Sequence, residues 1–229
     1  MLFRSVGSRG HHADIGGVTP GSMPPLSTTV EEEGVLIDDV QLVDQGRFLE
    51  DEMRTLLASG RWPARNPDQN IADLKAQLAS CARGIQELEA MVEHFSLATV
   101  QAYMGHVQEN AAESVRRVIH RPDDGAFEYA LDEGGVIRVA ITIDKAERRA
   151  RIDFTGTSAQ RASNFNAPSA VCRAAVLYVF RTLVDDQIPM NEGCLKPLDL
   201  VIPEGSMLRP RYPAAVVAGN VETSQCIVD

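Results

Sequence analysis

The sequence predicts an α+β fold, with mixed, largely antiparallel sheet regions, an inserted long helical hairpin and a buried helix. Three observations point there. Apolar or small residues at Ile71, Leu74, Leu78, Cys81, Ile85, Leu88, Val92 and Phe95 recur three and four apart, the spacing of a helical seam. Three short segments between Ala126 and Phe154 alternate apolar and polar residues and are parted by turn residues. The stretch Ser169–Val184 is apolar on most faces, as a central helix would be.

Each element follows from local chemistry. Residues 1–30 are rich in Gly, Pro and Ser and read as an ordered loop. Gly34–Leu42 reads as a strand, and 46–59 as a short helix with Phe48, Met53, Leu56 and Leu57 on its apolar face and Gly60 as C-cap. At Asn66-Pro67-Asp68-Gln69 an amide N-cap, a proline at the first helical position and a capping-box glutamine open the strongest helix. Its seam predicts a partner along its whole length. The helical pattern continues through Val100, Met104, Val107 and Val115 to about Ile119, and Gly105 permits a bend, so two helices packed back on each other are preferred to one rod. Pro122 to Gly125 ends the pattern. Ala126–Leu131, Val136–Ile143 and Arg148–Phe154 then read as an antiparallel meander. A polar loop from Thr155 to Pro168, the apolar helix, a short strand at Leu198–Ile202 and an apolar segment from Pro213 to Gly219 complete the order.

The 229 residues are 44% hydrophobic and 24% charged, the balance of an ordinary globular chain. A net charge of −10 argues against nucleic-acid and anionic-membrane partners. No apolar run approaches a membrane span, and no signal-peptide order opens the chain. Cys81, Cys172, Cys194 and Cys226 form no CxxC pair, so buried thiols in a reducing cytoplasm are the expectation.

Chemistry concentrates in Ser8-Arg-Gly-His-His-Ala-Asp-Ile-Gly-Gly17, where two imidazoles and a carboxylate lie between glycines. On an extended segment His12 and Asp14 share one side; in a turn His11 and Asp14 converge. Either set of N and O donors suits Zn, Mn or Fe, and the alternative is a hydrogen-bonded His–Asp pair that orders a loop. His94, His106 and His120 stand at no ligand spacing and read as solvent-facing or packed. Thr155-Gly-Thr-Ser158 and Asn164–Pro168 offer hydroxyls and amides to an anion or carbonyl, or else serve turns and helix capping. Asn191-Glu-Gly193 is a further polar turn. Gly219-Asn-Val-Glu-Thr-Ser-Gln225 follows an apolar segment, and Asn220 either caps a helix or faces a ligand. No Walker loop or dinucleotide fingerprint is present.

In this order the segments RGHHADIGGVTPGSMPP (9–25), ARNPDQNIADLKAQLASCARG (64–84), DFTGTSAQRASNFNAP (153–168), LYVFRTLVDDQIPMNEGCLKPLDLVIPEGSMLRP (177–210) and YPAAVVAGNVETSQ (212–225) resemble the hydantoinase B / 5-oxoprolinase family, most closely its bacterial 5-oxoprolinase branch. The resemblance spans nearly the whole chain. It implies one partial B-type domain over 1–229, with a helical insertion at about 66–120. It also implies the opening of a small cyclic amide: 5-oxo-L-proline to glutamate, or a hydantoin to an N-carbamoyl amino acid. ATP would be used by a hydantoinase A-type subunit or domain and not bound here, which makes a hetero-oligomer the expected assembly.

By the same resemblance His11, His12 and Asp14 hold or orient a divalent metal (Zn, Mn or Fe). Such a metal polarises a carbonyl and supplies hydroxide near neutral pH. Asn220, Glu222 and Ser224 are carried over as catalytic groups that orient substrate or support the metal site. An upstream Asn-Asp-Pro-Tyr…Gly-Gly-Thr-His motif of the family is not found in this sequence, and the family continues past GNVETSQ, so the chain reads as an internal piece. The alternatives are the metal subunit of an acetone or acetophenone carboxylase, and an inactive truncated fragment.

Overall fold

Six α-helices, three short 3-10 turns and two small sheets carry the described residues of the computed structural model, which cover positions 6–229. These residues divide into two units, one ending at Ala102 and the other running from Tyr103 to Asp229. The α+β class is as the sequence predicts.

In the first unit a long loop leads into α1 (Val30–Glu33), a single turn closed by a reciprocal capping box between Thr29 and Glu32. The strand expected at Gly34–Leu42 does not form. The Val35 N–H donates to the Ile15 carbonyl in the preceding loop, and Asp39 turns the chain at φ 51°. Pairing begins later, in the hairpin of β1 (Val43–Asp44) and β2 (Arg47–Phe48). Gln45 and Gly46 both take positive φ between them, the conformation whose twist suits a two-residue hairpin. The helix expected from residue 46 therefore starts later, as α2 (Glu50–Leu57).

Helix α3 (Pro67–Phe95) opens as its sequence dictates, with the Asn66 side chain accepting from the Gln69 N–H and Pro67 at the first position. Met53 and Leu57 of α2 close on Ile71 and Leu74 of α3 to form this unit's core. Beyond Leu74 the seam is not covered as expected. Full burial stops at Leu74: Leu78, Cys81, Leu88 and Val92 are half-buried, and Ile85 and Phe95 are 47% and 55% exposed. The helical region parts at Ser96 (φ 73°) and not at Gly105, which lies inside α4 (Leu97–Ile119).

The second unit holds most of α4, then β3 (Gly125–Ala130), β4 (Val136–Asp144) and β5 (Arg149–Asp153) as the expected antiparallel meander. After α5 (Ser169–Thr182), β6 (Leu198–Val201) adds to β5 in parallel, pairing Ile152 with Leu200. Ile137, Ala150 and Ile152 turn one sheet face towards Val115 and Ile119 of α4 and Cys172, Val176 and Phe180 of α5. Tyr178 stays exposed, so α5 is not buried all round. A last short helix, α6 (Thr223–Val228), lies against α5.

Candidate functional site

The His11–Ser22 loop is built around one carboxylate. Asp14 Oδ1 accepts the backbone N–H groups of Gly16 (2.9 Å) and Arg65 (3.3 Å). Its Oδ2 accepts the Gly21 N–H and the Arg65 guanidinium, both at 2.9 Å. Arg65 also donates to the Gly17 carbonyl at 2.7 Å. Partial burial pushes the Asp14 carboxyl up, but the three N–H groups and the guanidinium outweigh it and hold it below the usual aspartate value. Ser22 Oγ accepts from Ile15 N–H and donates to the Gly16 carbonyl, closing the loop on itself.

Gly16 and Gly17 carry positive φ, and a Cβ on either would lie 2.3 Å from the Trp62 carbonyl oxygen or 2.6 Å from that of Glu32. Only glycine lets the chain pass between those segments. The Gly17 N–H donates to the Trp62 carbonyl and the Val18 N–H to that of Glu32, which secures the passage.

His12 is held from below by α3. Asn70 is 1% exposed, and its Nδ2 donates to the Asp14 carbonyl oxygen at 2.8 Å and stands 3.2 Å from His12 Nδ1. Asp73, one turn along the same face, brings Oδ2 to 3.4 Å from that nitrogen. His11 is exposed.

The donor set of the implied metal can be tested against this geometry. Asp14 has both oxygens committed to N–H donors, and among the described residues no three His, Cys, Asp or Glu side chains converge as a cation would require. His11, His12 and Asp14 therefore do not make up a metal centre within these residues. No His–Asp pair forms within the HHAD segment either: Asp14 pairs with Arg65, and His12 meets Asn70 and Asp73.

In the second unit, Gly219 packs where a Cβ would meet the Asn166 carbonyl oxygen at 2.3 Å, and Thr223 Oγ1 donates to the Phe165 carbonyl at 2.6 Å. Asn166 is fully buried. Its Oδ1 accepts the Arg161 N–H, and its Nδ2 donates to the carbonyls of Arg161, Ser163 and Ala215. This network places Asn220 and Ser224 on an open groove of about 410 Å³ between α5 and α6, with Tyr178 and Gln225. Asn220 does not cap α6; Glu222 occupies that position and its side chain makes no cap bond. Ser224 Oγ donates back to the Asn220 carbonyl, and Glu222 is exposed and does not line the groove.

The hydroxyls of Thr157 and Ser158 are spent on β4, accepting from the N–H groups of Arg138 and Val136. The Asn191 side chain accepts from the Gly193 N–H, an ordinary turn. His94, His106 and His120 are exposed. All four cysteines are free; Cys172 and Cys194 are buried, while Cys81 and Cys226 are partly so. No helix among the described residues is long and apolar enough to cross a membrane.

Sequence reasoning missed Arg65, Asn70 and Asp73, which lie in or beside the helix-start signal and belong to no motif of their own. Asn166 lies in the Asn164–Pro168 segment that the sequence offered for a ligand or for turns, and it serves the turns.

The family profile described as Hydantoinase B/oxoprolinase matches residues 2–229. The chain is 42% identical to the 5-oxoprolinase of Dictyostelium discoideum over 98% of its length, covering 18% of that protein. It is also 42% identical to the 5-oxoprolinase of Saccharomyces cerevisiae over its full length, covering 19% of that protein. The chain thus spans about a fifth of the length of these 5-oxoprolinases. Among solved structures, the ATP-dependent caprolactamase of Pseudomonas jessenii superposes with a TM-score of 0.78 at 21% identity, over 96% of this chain and 38% of that one. A nucleotide-free acetone carboxylase gives 0.74 at 16% identity, over 92% of this chain and 30% of that one. With the profile matched from residue 2 to the last position, the chain belongs to the hydantoinase B/oxoprolinase family.

Proposed function

We propose that this chain is part of the B-type component of an ATP-dependent cyclic amide hydrolase that opens 5-oxo-L-proline to glutamate. The family match over residues 2–229, with 42% identity to named 5-oxoprolinases, is the observation that carries the reading. The hydantoin-to-carbamoyl reaction is the nearest variant. An A-type partner uses ATP to activate the amide oxygen, and this chain receives the activated ring. The hydrolase is then a hetero-oligomer, or a single chain holding both parts.

The roles assigned to this chain's residues are binding and orientation. His11 and His12 stand on a loop that Asp14 and Arg65 make rigid, and a rigid loop holds a polar ring without reorganising as charge develops. Asn220 and Ser224 line their groove with an amide and a hydroxyl, chemistry suited to ring oxygens and nitrogens. Glu222 borders them as an exposed carboxylate that can relay a proton to solvent.

The test is glutamate release from 5-oxo-L-proline with ATP, using the intact protein with and without its A-type partner. Turnover requiring both parts supports the reading. Turnover by the B-type part alone contradicts the division of labour, and incorporation of labelled bicarbonate into acetone would replace ring opening with carboxylation.

A further inference from the structure

The four-stranded sheet has two outer strands, and only one of them is guarded. β6 offers four residues between Pro197 and Pro203, with the charged Asp199 among them, so a foreign strand finds little to pair with. β3 has none of these devices. Its six residues face β4 in unbroken register, from Gly125 opposite Ile141 to Ala130 opposite Val136, with no bulge and no proline. Its one charge, Glu128, points to the face away from the core and meets Arg138 at 2.6 Å.

The hairpin after β3 fixes where its backbone groups point. The Leu131 N–H donates to the Gly135 carbonyl at 2.8 Å, which makes those two a hydrogen-bonded pair. Such pairs alternate along an antiparallel ladder, so Gly125, Phe127 and Tyr129 spend their N–H and C=O groups on β4. Ala126, Glu128 and Ala130 aim theirs at the open edge, where no strand lies among the described residues. Val136 confirms the phase, because its own N–H and C=O turn the other way, to Ser158.

The core side of the sheet is also incompletely covered at this edge. Phe127 is 61% exposed. A cleft of about 260 Å³ is lined by Phe127 and Tyr129 of β3, Val139 and Ile141 of β4, Val179 of α5 and Ile227 of α6. A dry cavity of about 150 Å³ already accepts a benzene-sized group, so this one has room for an apolar side chain from an added strand.

Charge selects the occupant. Asp123 and Asp124 precede β3, Asp132 and Glu133 follow it, and among the described residues only Asp123 forms an ion pair, with Lys145. A second copy would bring the same acidic flanks. In the antiparallel register centred on Glu128 it sets Glu128 against Glu128 and Asp124 against Asp132, which repel. We infer that β3 is a docking edge for an extended segment of a partner protein, with alternating apolar side chains and Lys or Arg at both ends. Its backbone continues the ladder on Ala126, Glu128 and Ala130, and one of its apolar side chains enters the cleft beside Phe127. Its cations meet Asp124, Asp132 and Glu133. The surface takes no part in the reaction proposed above.

Two synthetic peptides on the intact protein test this: one alternates Val and Thr between Lys pairs, the other has Glu in place of Lys. The Lys peptide should bind at least about tenfold more tightly than the Glu peptide, and less tightly as salt rises. Residue-resolved hydrogen exchange should slow at the Ala126, Glu128 and Ala130 amides when it binds, while Phe127 and Tyr129 change little. Glu128→Pro removes one outward N–H without touching a β3–β4 bond, and should weaken binding at least about tenfold. Glu128→Gln keeps that N–H and should weaken it less than about threefold. Absence of binding by the Lys peptide, equal binding of both peptides, or binding that leaves the three amides unprotected overturns the inference in the wild type alone. Amides already protected before any peptide is added mean that the protein fills this edge itself, as monomer or dimer, and overturn a separate partner.

Discussion

The carboxylate of Asp14 and the guanidinium of Arg65, 51 positions apart, meet at 2.9 Å and tie the His11–Ser22 loop to the start of α3. The pair does more than a surface ion pair, because the same carboxylate also gathers three backbone N–H groups. Removing the acid leaves all of those donors without their acceptor.

Asp14→Ala is therefore expected to cost more stability than Arg65→Ala: about 2 kcal/mol against about 1 kcal/mol, by the usual worth of charge-assisted and exposed pairs. Urea unfolding of the intact protein checks this, read as a lower midpoint at unchanged slope. Equal losses would mean that the guanidinium, and not the N–H groups, is what the carboxylate serves.

The pH dependence of the same group has a definite sign. The folded-state pKa of Asp14 lies below its ordinary value of 3.8. Its contribution is fully present above that value and is lost as pH falls through the depressed folded-state pKa. The stability gap between wild type and Asp14→Asn should hold steady near neutrality and shrink below about pH 4. Parallel unfolding curves measure it, and other carboxylates common to both proteins cancel. A gap that widens on acidification would reverse the assignment.

Asn166 should be among the most sensitive positions of the second unit. Its amide satisfies three carbonyls and one N–H in a fully buried setting. Asn166→Leu is expected to destabilise by about 3 kcal/mol or more, since it strands several polar groups at once. Calorimetry of the variant would show it, and a loss below about 1 kcal/mol would mean that these groups find other partners.

Cys172 is inert by environment. Burial pushes its thiol up to about 12, with only a small opposing effect from Arg173. Native protein at mildly alkaline pH should leave Cys172 unlabelled by iodoacetamide while the partly exposed Cys81 reacts, as peptide mass spectrometry would show. Labelling of Cys172 at the rate of Cys81 would show that its core opens far more readily than its packing implies.

What could be read from the chain divides along physical lines. The start of α3 was legible because three local signals at Asn66, Pro67 and Gln69 agreed. The meander was legible because β4 alternates Ile137, Val139 and Ile141 with polar neighbours. The strand expected at Gly34–Leu42 failed because Val35 spends its N–H on Ile15, a tertiary choice that no local pattern records. The covered seam failed for a related reason: periodicity shows which face of α3 is apolar, not how far a partner reaches along it. The same limit hid Arg65 and Asn70. Their helix-start context was visible, but their pairing with Asp14 and His12 exists only once the loop has folded across them.

The parallel union of β5 with β6 sets the sequence of assembly. The meander joins neighbours through short turns, whereas Ile152 meets Leu200 only after α5 has been laid down between them. Closing so large an excursion sacrifices chain freedom early and returns contacts late, which makes β6 a latecomer. Leu198→Ala, at the start of that strand, should consequently hasten unfolding and leave the refolding rate nearly untouched. Slower refolding in stopped-flow traces would put the strand in the nucleus instead.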